Sequence, residues 1–243
     1  MIYSVEKKLS YNELDFKGLW KPENIFLTMQ ETAGVHAERL GVGYEDLKAK
    51  DITWVLIRAT LKMDKYPDSK TAVKVTTWPE AERRLLFPRF FTFQDEKGNL
   101  LGAASTIWAL MDIEARTLVV PAAKNISVAT PAEGPLKIAP PAKVKMPERD
   151  ISESTVSPKY SDLDINNHVN NSKYIDWFCD QIPLELHARG ILSEISVSYS
   201  REIRSGSAVR LEFSKDGNEF RMAGKENDQV CFAINATWKE SAL

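Results

Sequence analysis

The stretch Tyr160-Ser-Asp-Leu-Asp-Ile165 repeats an earlier stretch of the same chain, Tyr11-Asn-Glu-Leu-Asp-Phe16. Each stretch is followed by a helix candidate and then by several strand candidates. Each half of the chain then closes on a similar strand, Ala104–Trp108 in the first half and Ile234–Trp238 in the second. Because these matches keep the same order, they indicate two copies of one supersecondary unit. The sequence therefore predicts an internal duplication.

Each copy carries one helix candidate. In the first half, apolar residues recur at helical spacing between Asn24 and Leu40, and Gly41 then supplies a stop. In the second half, Asn170 or Asn171 can cap a helix that Pro183 ends. The two helices follow the two repeated stretches directly, which is consistent with one repeating unit.

Alternating residues predict the strands. From Ile195 to Ser200, apolar or aromatic residues alternate with serine, as in a strand with one buried face. Lys97-Gly98 and Asp216-Gly217 each separate two strand candidates and are typical of hairpin turns. Each copy is thus predicted as a strand, a helix and an antiparallel run of strands. This is an α+β arrangement with a helix laid on a curled sheet.

Composition limits the classes of function. The 243 residues carry 32 basic and 34 acidic side chains, for a formal net charge of −2. Nucleic acid is therefore a poor main partner, because phosphate binding needs a concentrated positive field. The longest apolar run, Leu100–Met111, is shorter than the ~20 residues that cross a bilayer. The chain starts without an apolar signal segment, and Cys179 and Cys231 form no disulfide framework, so we expect a cytoplasmic protein.

A proline-rich stretch divides the two copies. Half of the 12 prolines fall between Pro131 and Pro158. Proline fixes φ and lacks an N–H donor, so this stretch is predicted as an extended linker. The predicted organisation is a first domain at residues 1–130, a linker at 131–158 and a second domain at 159–243. A long surface loop inside one domain is the alternative, and the repeat favours the linker.

The segment Ser161–Asn171 is the densest polar cluster of the chain. If it is extended, Asp164, Asn166 and His168 point the same way, and Ile165 points toward the core. The second helix begins where the cluster ends, so its free N–H groups face the same spot. Together these groups suit a reaction that forms an oxyanion. An Asx-rich loop that only caps the helix is the alternative, and spacing alone slightly favours it.

Metal sites fit this cluster poorly. Asp162, Asp164 and Asn166 fall on the first ligand positions of an EF-hand calcium loop. However, Asn167 stands where that loop needs Gly, and Lys173 stands where it needs the bidentate Glu. The three histidines form no pair with metal-ligand spacing. We therefore expect no metal ion.

A longer motif resembles a known family. Asp164-Ile-Asn-Asn-His-Val-Asn-Asn-Ser-Lys-Tyr-Ile-Asp-Trp177 is similar to the signature of acyl-acyl-carrier-protein thioesterases, which release free fatty acids. Further landmarks in the first half also resemble this family, so the likeness covers most of the chain: Trp54–Arg58, Tyr66-Pro67, Thr77-Trp78 and Ser105–Trp108. The resemblance implies two tandem hotdog units, each a helix wrapped by a curled antiparallel sheet.

The resemblance also implies a catalytic set of Asp, Asn and His followed by a later Glu. Ile203 stands where many members carry Cys, which argues against a cysteine nucleophile, and both real cysteines are predicted to be buried. In the first copy, Lys17 and Leu19 replace the amide and the imidazole. The second half is therefore predicted to be catalytic, and the family likeness implies that the first holds the acyl chain. The implied catalytic residues are Asp164, Asn166, His168 and Glu202.

We interpret the protein as a hydrolase that cleaves fatty acyl groups from carrier-protein phosphopantetheine in fatty acid biosynthesis. Glu202 is predicted as the general base for a water, with His168 hydrogen-bonded to it or to the water. Asn166 and N–H groups near Asn170 are predicted to hold the oxyanion, and Asp164 to orient His168 or tune Glu202. Which carboxylate is the base stays open. The alternatives are an acyl-CoA thioesterase, a hotdog dehydratase and a non-catalytic acyl-binding module.

The remaining expectations concern partners. Carrier proteins are acidic, so Lys173, Arg201 and Arg204, which cluster in sequence around the site, are predicted to dock the carrier. Met29 and Ala33 on the first helix are predicted to leave room for the acyl tail. No metal or redox cofactor, nucleic acid or membrane span is expected. The sequence leaves a homodimer and the preferred chain length open.

Overall fold

A computed structural model describes residues 1–141 and 143–241 of the chain. These residues form two compact units, the first ending at Pro141 and the second comprising the residues after it. Within both described ranges, every helix is too short or too polar to cross a lipid bilayer. Each unit contains a run of antiparallel strands, and the two units are described in turn.

The first unit places one long helix beside an antiparallel sheet. Its strands follow the order β1-β3-β4-β5-β2, with antiparallel neighbours throughout. The elements are β1 (Tyr3–Lys8), α1 (Pro22–Arg39), α2 (Tyr44–Lys48), β2 (Ile52–Met63), β3 (Ala72–Pro79), β4 (Leu86–Gln94) and β5 (Leu100–Asp112).

The long helix α1 begins and ends for local reasons. Pro22 occupies its first turn, where a missing N–H costs no hydrogen bond. Gly41 follows its last turn with φ at 70°, a conformation that glycine adopts without strain. The helix predicted between Asn24 and Leu40 is therefore confirmed, with a slightly earlier start. Its buried apolar residues are Ile25, Phe26, Met29, Ala33 and Ala37.

The second unit repeats this plan with shorter helices. Its strands follow the order β7-β10-β9-β8-β6, again with antiparallel neighbours. Gly217 with φ at 57° turns the β8–β9 hairpin, as Gly98 with φ at 82° turns β4–β5, so both predicted hairpins are confirmed. The elements are β6 (Ser152–Val156), α3 (Lys173–Cys179), α4 (Leu184–Arg189), β7 (Gly190–Tyr199), β8 (Val209–Asp216), β9 (Glu219–Glu226) and β10 (Gln229–Glu240).

The proline-rich stretch predicted as a linker at 131–158 is not wholly a connection. Its first part belongs to the first unit, where Gly134 lies so close to the indole of Trp78 that a Cβ would clash. Its later part contains β6, which pairs with β8. The five residues of β6 contain no proline, so all their N–H groups are available to the sheet. Pairing with an open sheet edge therefore outweighs the local proline signal.

Both units are hotdog units in an α+β arrangement, so the predicted tandem hotdog fold is confirmed. The duplication extends to the backbone of the two repeated stretches. Tyr11–Glu13 and Tyr160–Asp162 each form one short 3-10 turn. Each turn is followed by a loop closed by an isolated antiparallel bridge. We call residues 159–170 the site loop and residues 10–21 the copy loop.

Candidate active site

The site loop folds back on itself. Leu163 and Val169 form its closing bridge, and Asn167 turns the chain with φ at 60°. The expectation of an extended segment was therefore wrong. Ile165, expected to point toward the core, is 88% exposed at the tip of the turn. A residue with positive φ reverses the chain, so the alternation of faces that an extended strand requires is lost.

The carboxylate of Asp164 holds this turn together. Its Oδ1 accepts the backbone N–H groups of Asn166 at 2.8 Å and of His168 at 3.2 Å. Its own N–H donates to the carbonyl of His168 at 2.8 Å. These bonds form an Asx turn, in which a side chain supplies the acceptors that the backbone lacks. Asp164 thus fixes the backbone that presents His168.

The connection between β7 and β8 brings Glu202 to the site loop. The N–H of Val169 donates to the carbonyl of Ile203 at 2.8 Å, and His168 pairs with Arg204 in an antiparallel bridge. As a result, His168 Nε2 lies 3.3 Å from Glu202 Oε2. Their side chains are 16% and 34% exposed, so water can reach the pair. An imidazole beside a carboxylate can hold a water molecule and accept its proton.

Tyr174 on α3 adjoins this pair, and the sequence showed it only as part of a motif. Its ring is 2% exposed and stacks on Phe232 with 4.3 Å between ring centroids. Burial raises the pKa of Tyr174, and nearby acidic groups that include Glu202 raise it further, so the phenol keeps its proton.

Asn166 and Asn170 take different places. Asn166 is exposed in the turn, two residues before His168. The side chain of Asn170 accepts the N–H of Ser172 at 2.9 Å, and its carbonyl accepts the N–H of Lys173 at 2.9 Å. The start of α3 thus already uses the N–H groups of Ser172 and Lys173, and the role of N–H groups near Asn170 toward an oxyanion stays a prediction. The amide of Asn166 is left as the candidate donor.

The three residues predicted to dock the carrier protein differ in exposure. Arg201 and Arg204 are exposed on the connection that carries Glu202. Lys173 is half-buried and its Nζ lies 3.1 Å from Asp176 Oδ2, which neutralises much of its charge. Positive charge beside the site therefore comes mainly from the two arginines. The predicted tail-binding residues Met29 and Ala33 are both buried on α1 of the first unit.

The two cysteines differ in exposure. Cys231 is buried in β10, and burial raises the pKa of its thiol. Cys179, predicted to be buried, is partly exposed at the end of α3, because that short helix ends at the surface of its unit. A protonated, buried thiol such as that of Cys231 is a poor nucleophile.

The carboxylates that resemble an EF-hand pattern serve the backbone instead. Asp162 accepts the N–H of Lys159 at 2.7 Å, and Asp164 supports the turn as described above. In the part of the chain that the structure describes, no group of three or more His, Cys, Asp or Glu side chains is placed to hold a metal ion.

The copy loop has the same backbone frame with other side chains. Asp15 Oδ1 accepts the N–H groups of Lys17 at 2.8 Å and of Leu19 at 3.0 Å, as Asp164 does in the site loop. The backbone N–H of Trp20 donates to the carbonyl of Pro67 at 2.9 Å, which matches the backbone bond from Val169 to Ile203. These matching bonds give the corresponding residues in the two units. Lys17 corresponds to Asn166, Leu19 to His168 and Tyr66 to Glu202.

Two family models match the chain in tandem. The acyl-ACP thioesterase N-terminal domain matches residues 1–126, and the acyl-ACP thioesterase C-terminal domain matches residues 145–240. A crystal structure of an acyl-ACP thioesterase from Bacteroides thetaiotaomicron is similar with a TM-score of 0.90 and 26% sequence identity, covering 98% of each chain. The likeness therefore includes both units.

Plant proteins are similar at the level of sequence. The palmitoyl-acyl carrier protein thioesterase of Arabidopsis thaliana is 30% identical over 226 residues, which is 86% of this chain and 54% of the relative. The oleoyl-acyl carrier protein thioesterase of Coriandrum sativum is 27% identical over 205 residues, or 77% of this chain and 55% of the relative. This chain spans about half the length of the curated relatives it matches.

Proposed function

This chain belongs to the acyl-ACP thioesterase family, and we propose that it hydrolyses the thioester between a fatty acyl group and the phosphopantetheine arm of acyl carrier protein. The names of its relatives support this reaction class. The observation that carries the proposal is the separation of 3.3 Å between His168 Nε2 and Glu202 Oε2. The pair lies in the second unit, and Leu19 at the matching place in the first unit cannot move a proton.

The site residues account for each step of hydrolysis. A thioester is electrophilic and has a good leaving group, so the enzyme must position water, remove its proton and stabilise an oxyanion. Glu202 accepts a proton from a water that also bonds to His168. The water oxygen then bonds to the acyl carbon, and the amide of Asn166 donates to the resulting oxyanion. When the C–S bond breaks, Glu202 returns the proton to the leaving thiolate.

Asp164 supports this site through the loop. Asp15 makes the same pair of backbone bonds in the copy loop, which carries no acid–base pair. The carboxylate at this position is therefore explained by loop geometry alone. We assign the base to Glu202 and a positioning role to Asp164.

The carrier protein and the acyl tail belong to the same proposal. Exposed Arg201 and Arg204 flank Glu202 on one connection, which suits an acidic partner. The acyl tail would lie in the first unit, beside Met29 and Ala33. We place the reaction in the cytosol, where a reducing environment suits the free thiols of Cys179 and Cys231.

Three substrates presented side by side test this function. The purified protein is incubated with an acyl-carrier protein, with the acyl-CoA of the same chain and with an enoyl-carrier protein. Release of free thiol and product identity by mass spectrometry are both followed. We expect the highest kcat/KM for thioester hydrolysis with the acyl-carrier protein. Faster hydrolysis of the CoA ester, hydration of the enoyl group, or binding without turnover would each overturn the proposal.

A further inference from the structure

The first unit carries a charged side chain in its core at a place where the second unit has an aromatic ring. Arg89 on β4 lies opposite the residue two positions before Trp108. Phe220 on β9 lies opposite the residue two positions before Trp238. Because the strands that contain Trp108 and Trp238 are repeats of each other, Arg89 and Phe220 occupy matching places, and both are buried. The core of a unit therefore accepts an apolar side chain here and does not require a cation.

Arg89 has no anionic partner. Within the described residues, no carboxylate lies within ion-pair distance of its guanidinium. Its two side-chain hydrogen bonds there both leave from Nη1, at 3.0 Å from His36 Nδ1 and at 3.3 Å from Thr77 Oγ1. Burial lowers the pKa of Arg89 to about 10, so the group stays charged at neutral pH. A buried cation without an anion is costly, and the donors on Nε and Nη2 are free for a ligand.

His36 on α1 adds a buried donor without a partner. Arginine offers no acceptor, so His36 Nδ1 accepts the bond from Arg89. Burial and neighbouring positive charges lower the pKa of His36 to about 4, so the ring is neutral at pH 7 and its proton is on Nε2. Nε2 is buried, and among the described residues it has no hydrogen-bond partner. Such a donor costs free energy unless an acceptor reaches it.

We propose that Arg89 and His36 form a carboxylate-binding site in the first unit. A carboxylate supplies both missing parts, a negative charge for the guanidinium and an acceptor oxygen for the Nε2–H group. It is also planar, which suits a guanidinium. A water or a hydroxyl would satisfy the imidazole but would leave the charge of Arg89 unpaired. The site uses neither His168 nor Glu202, so the inference goes beyond the proposed hydrolysis.

The surroundings fit two sources of a carboxylate. Met29 and Ala33, beside which the acyl tail is proposed to lie, come seven and three residues before His36, so all three share one side of α1. An acyl tail with a carboxylate at its far end would therefore reach the site along the helix. From outside, Tyr3 covers the site, since its partly exposed ring stacks on His36 with 5.6 Å between centroids. A free carboxylate would enter beside this ring.

Titration with acetate tests the site directly. In protein containing ¹⁵N-histidine at pH 7, the Nε2 signal of His36, identified by its loss in His36→Gln, should shift and saturate as acetate replaces chloride at constant ionic strength. The Tm should rise with acetate concentration, because a ligand of the folded state stabilises it. Neither change is expected in chloride alone.

Variants separate a binding role from a structural one. His36→Leu combined with Arg89→Met should weaken acetate binding, measured from the Tm, at least about 10-fold, since charge-assisted hydrogen bonds are lost. Without acetate its Tm should not fall, because both members of the polar pair are replaced together and Thr77 still donates to the carbonyl of Phe90. Arg83→Met, at an exposed arginine 3.3 Å from Glu80, is the matched control and should keep the acetate response. If the double variant fails to fold, Arg89→Lys keeps the charge without the planar fork and should also bind acetate more weakly.

Two acyl groups of equal length distinguish the sources of the carboxylate. Carrier protein is loaded with an octanedioyl group or with an octanoyl group, and kcat/KM is measured for both; this arm alone rests on the proposed function. If the ligand is the end of an acyl tail, the wild type should prefer the octanedioyl group on the order of 10-fold, and the double variant should lose that preference. An acetate response without this preference assigns the site to a free carboxylate.

The outcomes also separate this inference from the proposed function. If acetate leaves both the His36 Nε2 signal and the Tm as they are in chloride, the site is overturned. An acetate response in the double variant equal to that of the wild type overturns it as well. A wild-type protein that binds acetate at His36 but does not hydrolyse acyl-carrier protein would overturn the proposed function and leave the carboxylate site standing.

Discussion

Val169 donates its backbone N–H to the carbonyl of Ile203 at 2.8 Å, and this bond joins the residue after His168 to the residue after Glu202. The imidazole and the carboxylate are therefore aligned by the main chain. The first unit keeps the same bond between Trp20 and Pro67 at 2.9 Å. The frame that aligns the pair does not depend on the pair, so the side chains can be changed without removing the frame.

The first prediction concerns the base. Glu202→Gln keeps the shape of the side chain but cannot accept a proton, so kcat should fall ~10²–10⁴-fold. Steady-state kinetics with acyl-carrier protein, together with a thermal melt, measure this. Glu219→Gln, a matched change on β9, is the control and should leave turnover intact. A folded Glu202→Gln enzyme with near-normal turnover would transfer the role of base to Asp164.

The second prediction separates loop support from chemistry. Asp164→Asn keeps an Oδ1 acceptor for the N–H groups of Asn166 and His168, so its kcat should fall far less than that of Glu202→Gln. Asp164→Ala removes the acceptor and should cost about 0.5–2 kcal/mol of stability, as other lost side-chain caps do. Asp15→Ala should cost a similar amount without a loss of catalytic groups. Urea unfolding and kcat are measured for all three, and an inactive, well-folded Asp164→Asn enzyme would contradict the assignment.

The third prediction concerns the carrier protein. Reversing Arg201 and Arg204 to Glu should raise KM for acyl-carrier protein, because an acidic partner loses its attraction to this connection. The salt dependence of KM should also become flatter. Hydrolysis of a short acyl-pantetheine, which lacks the carrier protein, is the control and should change little. An unchanged KM with the carrier protein would show that docking occurs elsewhere.

The fourth prediction is a pH dependence of stability that arises in the first unit. His36 is buried on α1 with Nδ1 at 3.0 Å from Arg89 Nη1. Burial, together with the positive charges of Arg89, the N-terminus and Arg39, lowers the pKa of His36 to about 4. In the unfolded chain this imidazole takes up its proton near pH 6.5. The contribution of His36 to the free energy of unfolding is therefore fully present above that pH and is lost as the pH drops toward 4.

Urea unfolding of the wild type at pH 7.5 and pH 5 measures this effect. The free energy of unfolding should be lower at pH 5, with His36 contributing about 1–2 kcal/mol of the difference. His36→Gln cannot take up the proton, so its loss between the two pH values should be smaller. His187→Gln, at a histidine whose Nε2 lies 3.0 Å from the carbonyl of Cys179, is the matched control. Identical pH dependence in the wild type and His36→Gln would exclude this source.

Much of the fold could be predicted because the determining residues act locally. The same Asp occurs in both repeats, as Asp15 and as Asp164, because each carboxylate binds the backbone of its own loop. Gly98 and Gly217 mark hairpins because each turn needs a positive φ there. The placement of β6 could not be predicted in this way, because it depends on an edge of β8 that lies far away in the sequence.

The site was predictable in its residues and less so in its geometry. Spacing suggested an extended segment, but bonds from the Asp164 carboxylate close the turn and expose Ile165. The meeting of His168 with Glu202 depends on backbone pairing between distant segments, which no local pattern encodes, so only the family likeness indicated Glu202.

The shared loop frame has a consequence for how such a chain can change over generations. A copy that loses its acid–base pair keeps every backbone bond of its loop, so it still folds and is not eliminated for instability. Selection for folding and selection for turnover then act on different atoms of the same segment. One copy of a duplicated unit can therefore acquire a new function by mutation while the other copy keeps the reaction. The intermediate sequences between those two states all encode proteins that fold.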